Sequence, residues 1–215
     1  MGLFRLDSSI RRTDSVSRAV ADTVTENWVA ANPSGTVVRR DLAAEGLPGT
    51  AWTDAVAGVS TPVEQRTPAQ TAAIDLATAL ADEVSAADSL VIATSLYNFG
   101  ISQHLKTWID LVITDPRFAP GQQPLAGKQV ALVIARGGGY APGTPRAGWD
   151  HATPWLVRIF QDVLGAEVTL LEAELTLAGT IPAMAELIPL AQQSATAAHT
   201  LAASTGRSFA TKIAV

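Results

Sequence analysis

A chain of 215 residues, set against about 150 for a common domain, fits one large domain spanning 1–215, and 47% hydrophobic with 16% charged residues excludes a disordered chain. Fifteen Lys and Arg against twenty Asp and Glu leave a net charge of -5, which excludes the cationic surface that a nucleic-acid backbone demands. With no cysteine there is no disulfide, thiolate nucleophile, iron–sulfur cluster or Cys-bound zinc, and His104, His151 and His199 are too scattered for a metal site.

Short Val-, Ile- and Leu-rich runs alternate with helical periodicity, the pattern of a parallel sheet covered on both faces. Leu3–Asp7 reads as the first strand, and a Ser-rich loop leads into a helix from Ser15 to Ala31 that Asn32-Pro33-Ser34-Gly35 ends. Thr36–Asp41 is the second strand. Residues 43–67 read as a long excursion with one helical turn near Trp52, before a helix opened by Pro68 or Ala69 that runs to about Ala87. Ser89–Thr94 is the third strand, followed by a helix capped by Ser102 and ending at Ile113. After a Pro- and Gly-rich loop, Gln129–Ala135 is the fourth strand and 137–148 a second long loop. A helix beginning at Trp149 or His151 runs to Gly165, Ala166–Glu172 is the fifth strand, and Ala183–Ser204 is the terminal helix. Five strands in this alternation predict the doubly wound parallel order 2-1-3-4-5, with ligands at the carboxyl ends of strands one, three and four.

Those three ends carry distinctive chemistry. After strand one, Ser8-Ser9-Ile10-Arg11-Arg12-Thr13-Asp14-Ser15-Val16-Ser17 enters a helix directly, so hydroxyls, backbone N–H groups and the positive helix end converge as a cradle for one phosphate. It lacks the G-x-G-x-x-G of a dinucleotide fold and the Walker lysine. The plain alternative is that Ser15 or Ser17 only caps the helix. After strand three, Leu96-Tyr97-Asn98-Phe99 offers flat apolar contact and an amide to a planar ligand; core filling would explain the rings but not Asn98. After strand four, Ala135-Arg136-Gly137-Gly138-Gly139-Tyr140 lets the main chain approach a ligand and sets a cation beside it. The three ends together describe a flavin mononucleotide (FMN) site.

The same segments, SSIRRTDSVS, YNFGISQHLKTWID, RGGGY and DHATPWLVRIFQDVLG, resemble the FMN-dependent NADH-azoreductases and related NAD(P)H:quinone oxidoreductases, which are flavodoxin-like, over nearly the whole chain. That resemblance implies that Ser9 and Ser15 to Ser17, Val16 included, hold the phosphate. It implies too that Leu96 to Phe99 line the ring and that Ala135, Arg136, Gly137 and Gly138 meet its pyrimidine side. It further implies a homodimer with shared sites, NADH or NADPH as donor, and quinone or azo acceptors. Two positions depart from the family pattern: Ser95 stands where a proline is usual and Ala135 where a serine is usual.

In this reading the flavin carries the chemistry. Arg136 stabilises its reduced anion, Asn98 fixes the ring edge, and Tyr140 and a neighbour's Phe118 shape the substrate pocket. The bulky residues Trp108, Leu111, Val112, Trp155, Ile159 and Phe160 are expected to form the subunit interface. Asp150 and His151 read as a helix start rather than a catalytic dyad, and Lys106 with Asp110 as a solvated ion pair. The amino terminus lacks the apolar segment of a signal peptide and no run approaches the length of a membrane span, so a soluble cytoplasmic protein without nucleic-acid or membrane partners is expected. The rival function is a flavodoxin-type electron carrier, which would need a strongly acidic docking face.

Overall fold

The computed structural model describes residues 1–211. Five parallel strands, β1 (Gly2–Asp7), β2 (Thr36–Asp41), β3 (Ser89–Ser95), β4 (Gln129–Ala135) and β5 (Glu167–Ala173), form one sheet in the order β2-β1-β3-β4-β5. This is the predicted flavodoxin-like architecture. Register is continuous across the centre, with Leu3 opposite Ser89, Ser89 opposite Gln129 and Gln129 opposite Glu167.

The period-2 alternation of the strands divides the core into two layers. Phe4, Leu6, Leu90, Ile92, Val130, Leu132 and Ile134 face one side, where they meet α3 (Pro68–Ser85), α4 (Gln103–Thr114) and α5 (Thr153–Val157). Leu3, Val91, Ala93, Ala131, Val133, Leu171 and Ala173 face the other, under α1 (Val16–Ala31) and α6 (Ile188–Thr211). Small residues dominate this second layer and let the helices approach closely: a Cβ on Gly206 of α6 would stand 2.2 Å from the Val24 carbonyl oxygen of α1.

Three expectations need correction. The excursion after β2 contains a nine-residue helix, α2 (Ala51–Val59), and a short 3-10 turn at Val63–Gln65. Its buried face is Ala51, Ala55 and Gly58, residues too small to write a visible apolar stripe. The helix after the long glycine loop starts only at Thr153 and continues as a π-helix over Arg158–Val163. The terminal helix begins with a 3-10 segment at Pro182–Leu187 and runs on to Thr211.

The expected interface residues are mostly core. Trp108, Leu111, Val112 and Phe160 are buried within the chain, while Trp155 and Ile159 are half-buried against the same layer. Phe118 is 0% exposed in that layer, so it is not free to line a neighbour's pocket. Exposed large hydrophobics stand on α2 and just beyond it, at Trp52, Val56, Val59 and Val63, and elsewhere at Ile10, Val29, Val38, Trp149, Ile181, Ile188, Leu190 and Leu201. Lys106 binds Asp110 as expected and also places its Nζ 5.4 Å from the Trp52 ring and 5.8 Å from that of Trp155. Among the described residues, no helix is long and apolar enough to cross a membrane.

Candidate functional site

A cleft of about 370 Å³ opens at the carboxyl ends of β1, β3 and β4. Of the residues singled out in the sequence, Ser9, Ser15, Val16, Leu96, Tyr97, Ala135 and Gly137 line it, whereas Ser17, Asn98, Phe99, Arg136, Gly138, Phe118 and Tyr140 do not. Arg11, Asp14 and Ser95 also line it, and Thr176, Leu177 and Thr180 close it from the segment after β5. That last wall is absent from the sequence reading. Its signal is the sheet order, since the chain leaving β5 emerges beside β4.

One wall of the cleft is built by the start of α1. Ser15 is extended (φ -87, ψ 115) and its hydroxyl accepts the Arg18 N–H, so it is an N-cap. The other first-turn N–H groups have no intrahelical acceptor and carry the positive end of a 16-residue helix. Ser17 is buried beneath, with its Oγ 3.3 Å from that of Ser15 and 3.5 Å from that of Ser95. Capping and cradling are therefore compatible here.

Arg18, which the sequence reading did not single out, ties the loop down. Its guanidinium donates to the carbonyls of Arg11 and Ser9, each at 3.0 Å, and to both oxygens of Asp41 at 2.7 Å. Arg18 thus holds two loop carbonyls, while the Ile10 N–H goes to Tyr97 and the Arg11 N–H to Ser9 Oγ, so the loop keeps one shape around the cleft. The bidentate Arg18 contact holds the Asp41 carboxyl below its ordinary range.

The loop after β3 is a tight hairpin. Tyr97 and Gly100 exchange two backbone hydrogen bonds at 2.9 Å around Asn98 (φ 47) and Phe99 (φ 68). Two consecutive positive φ angles define a type I′ turn. Asn tolerates this region, whereas for a bulky Phe it is strained, a condition that concentrates at functional sites. The turn aims Tyr97 back at the first loop, where its hydroxyl accepts the Ile10 N–H at 3.0 Å and lies 3.4 Å from Ser9 Oγ. Asn98 is exposed at the tip, and the Phe99 ring meets Trp149 edge-on, centroids 5.3 Å apart.

Arg136 departs most from expectation. Its guanidinium does not line the cleft: it donates to Asp150 at 2.8 Å, Glu174 at 3.2 Å, Thr153 Oγ1 at 2.8 Å and Glu172 at 2.5 Å. Three carboxylates around one buried cation leave it no free edge for a ligand. Asp150 caps the next helix, accepting the Ala152 and Thr153 N–H groups at 2.9 Å. Glu174 also accepts the Tyr140 N–H, so the box fixes both ends of the glycine loop. Tyr140 is half-buried beside it, Gly138 is buried, and the Gly137 and Gly138 carbonyls accept N–H groups from Leu177 and Leu175. A Cβ on Gly137 would stand 2.7 Å from Leu177 Cδ1, so a larger residue there would have to push the Leu177 side chain aside.

Burial pushes the Asp150 carboxyl up, but the hydrogen bonds from Thr153 and the charge of Arg136 outweigh it and leave Asp150 below its ordinary range. A carboxyl lowered on folding contributes stability that is full above its unfolded value, about 3.9, and is lost as pH falls through the folded value. The urea midpoint is therefore expected to drop below about pH 4, and Asp150→Asn to be less stable at neutral pH with a shallower acid slope. Equal acid slopes for the two proteins would refute the assignment.

A larger groove of about 650 Å³ lies beside α1, lined by Arg5, Arg12, Arg18, Arg39 and Arg40 with Asp7, Asp14, Asp22 and Asp41. Arg5 spans Asp7 and Asp22 there, and Arg18 holds Asp41. Such a wall suits no flat apolar ring, whereas the smaller cleft joins an anion cradle to aromatic and glycine-lined surface. Residues of that kind could hold FMN, with its phosphate at the start of α1 and its ring between the Tyr97 turn and the glycine loop. Among the described residues no group of three or more His, Asp or Glu side chains could hold a metal.

A profile of the flavodoxin-like fold matches residues 1–182. The FMN-dependent NADH:quinone oxidoreductase of Parafrankia sp. is 38% identical over 200 residues, 92% of this chain and 94% of that one. The protein of the same name from Streptomyces avermitilis is 38% identical over 214 residues, 99% and 98% of the two chains. Among solved structures, an azoreductase from Bacillus anthracis superposes with a TM-score of 0.79 at 24% identity, covering 97% of this chain and 100% of that one. An FMN-dependent NADH-azoreductase from the same species, in complex with FMN, gives 0.78 at 16% identity over 98% and 100%. These two likenesses show the fold.

Proposed function

The chain belongs to the flavodoxin-like fold family that includes the FMN-dependent NADH:quinone oxidoreductases, and on that premise we propose that it is an FMN-dependent oxidoreductase passing two electrons from NADH to quinones and azo compounds. The observation that carries this reading is the joining, in one cleft, of the hydroxyl-rich start of α1 to the strained Tyr97–Gly100 turn and the glycine loop. Bound flavin supplies the redox chemistry, taking two electrons from the donor and giving them to the acceptor in turn.

The protein's own part is binding and orientation. Ser9, Ser15, Val16 and Ser17 hold the phosphate, with Arg18 fixing the loop that carries them. Leu96, Tyr97 and Phe99 pack the ring and Asn98 meets its edge. Ala135, Gly137 and Gly138 face the pyrimidine side, and Arg136 acts behind them as the pin of the glycine loop. Tyr140 stands at the substrate side. Two-electron exchange with donor and acceptor at one cleft implies a ping-pong sequence. The whole of 1–215 acts as one FMN-binding domain in the cytoplasm. A homodimer belongs to the same proposal, with the exposed stripe of Trp52, Val56, Val59 and Val63 as its supporting surface.

The purified protein is expected to be yellow, to release FMN rather than FAD on denaturation, and to lose its flavin absorbance within the mixing time when mixed anaerobically with NADH. A bound FMN that NADH leaves oxidised would instead mark an electron carrier, and release of FAD would overturn the cofactor assignment.

A further inference from the structure

With Arg136 enclosed by carboxylates, the glycine loop still carries one other guanidinium. A Cβ on Gly138 would stand 3.1 Å from Arg146 Nη1 and 3.8 Å from its Cδ and Cζ, so the side chain of Arg146 lies flat on the main chain at Gly138. Consecutive turns fold the segment back to reach it: Thr144 N–H donates to Ala141, Ala147 N–H to Thr144 and Trp149 N–H to Arg146, each at 3.1 Å. The Thr144 hydroxyl fastens the fold to the glycine loop through the Gly139 carbonyl at 3.0 Å. At its far end the segment is tied to the opposite side of the cleft, where His151 N–H donates to the Phe99 carbonyl at 2.9 Å and Trp149 meets the Phe99 ring. Arg146 is exposed, and among the described residues no carboxylate pairs with it.

We propose that Arg146, lying on Gly138 next to the cleft-lining Gly137, is the cation that favours reduced over oxidised flavin. The proposal rests on the reading of Ala135–Gly138 as the wall of the pyrimidine side, where the negative charge added by two-electron reduction collects. A guanidinium held beside that edge attracts the reduced form and is nearly indifferent to the neutral oxidised ring. Exposure to water moderates the effect relative to a buried donor, and salt screens it.

The test compares wild type, Arg146→Gln and Arg146→Lys, each loaded with FMN, by the midpoint potential of the bound flavin and by the dissociation constant of oxidised FMN. Arg146→Gln is expected to hold reduced flavin about tenfold less well relative to oxidised, a fall of about 30 mV for a two-electron couple. Affinity for oxidised FMN stays within about threefold, Arg146→Lys keeps most of the potential, and raised salt narrows the gap between wild type and the Gln variant. FMN bound at an unchanged potential in Arg146→Gln would overturn the proposal and leave the site reading standing. Failure of wild type to bind FMN would overturn both.

Discussion

Arg136→Ala is expected to lower the free energy of unfolding by about 3–5 kcal/mol, because it strips the cation from a set of carboxylates that stay largely out of water. The guanidinium side chain is 8% exposed, and those of Asp150, Glu174 and Glu172 are 12%, 19% and 40% exposed. Glu172 can relax into solvent. Asp150 and Glu174 cannot do so while they cap Ala152 and Thr153 and hold the Tyr140 N–H, so their mutual repulsion strains both ends of the glycine loop. A fall in the urea midpoint at unchanged slope would report the loss. Arg136→Lys should recover only part, since one ammonium cannot span three carboxylates and the Thr153 hydroxyl. A loss below about 1 kcal/mol, the range of an exposed ion pair, would refute the clamp.

Ser15→Asp is expected to weaken FMN binding by about 100-fold or more while leaving the fold intact. Asp is as good an N-cap as Ser, and a carboxylate at a helix start suits the dipole, so the stability of α1 is retained. The same carboxylate would stand where the phosphate is held. At an effective dielectric of about 20, two unit charges 4 Å apart repel by about 4 kcal/mol, and about 1.4 kcal/mol is a tenfold change. Ser15→Ala separates the contributions: it loses the cap, about 1 kcal/mol of stability, and one hydroxyl of the cradle, with far less effect on binding. Titration of free FMN by fluorescence, alongside thermal unfolding, measures both quantities. FMN bound by Ser15→Asp as by wild type would remove the phosphate from α1.

Strand positions and sheet order were legible because three of the five strands, β3, β4 and β5, carry dense Val, Ile and Leu runs and each strand returns through a helix. In a parallel sheet, right-handed crossovers then leave few arrangements. The start of α1 was legible for a local reason: Ser15 before a helical run is a favoured N-cap, and it caps here. The helix α2 was not, because a face of Ala51, Ala55 and Gly58 buries little and looks like a loop in composition.

Side-chain direction was the other limit. The order Ala135-Arg136-Gly137 says that a cation follows β4, but alternation along an extended chain sends neighbouring side chains to opposite faces. The carboxylates that decide which face Arg136 serves lie 14, 36 and 38 residues away. Arg146 lies farther from Gly138 in sequence than Arg136 does, yet three turns bring it onto that glycine.

By itself the sequence determined the five-stranded parallel fold and the residue types gathered at the carboxyl ends of its strands, since these follow from periodicity, capping and turn chemistry within a few residues. Tertiary structure alone decided that Phe118 and Trp108 are core, that the segment after β5 closes the cleft, and that Arg136 is a pin while Arg146 faces the glycine loop. Burial and ion pairing depend on which distant groups share a space, and no local pattern in a single chain carries that information.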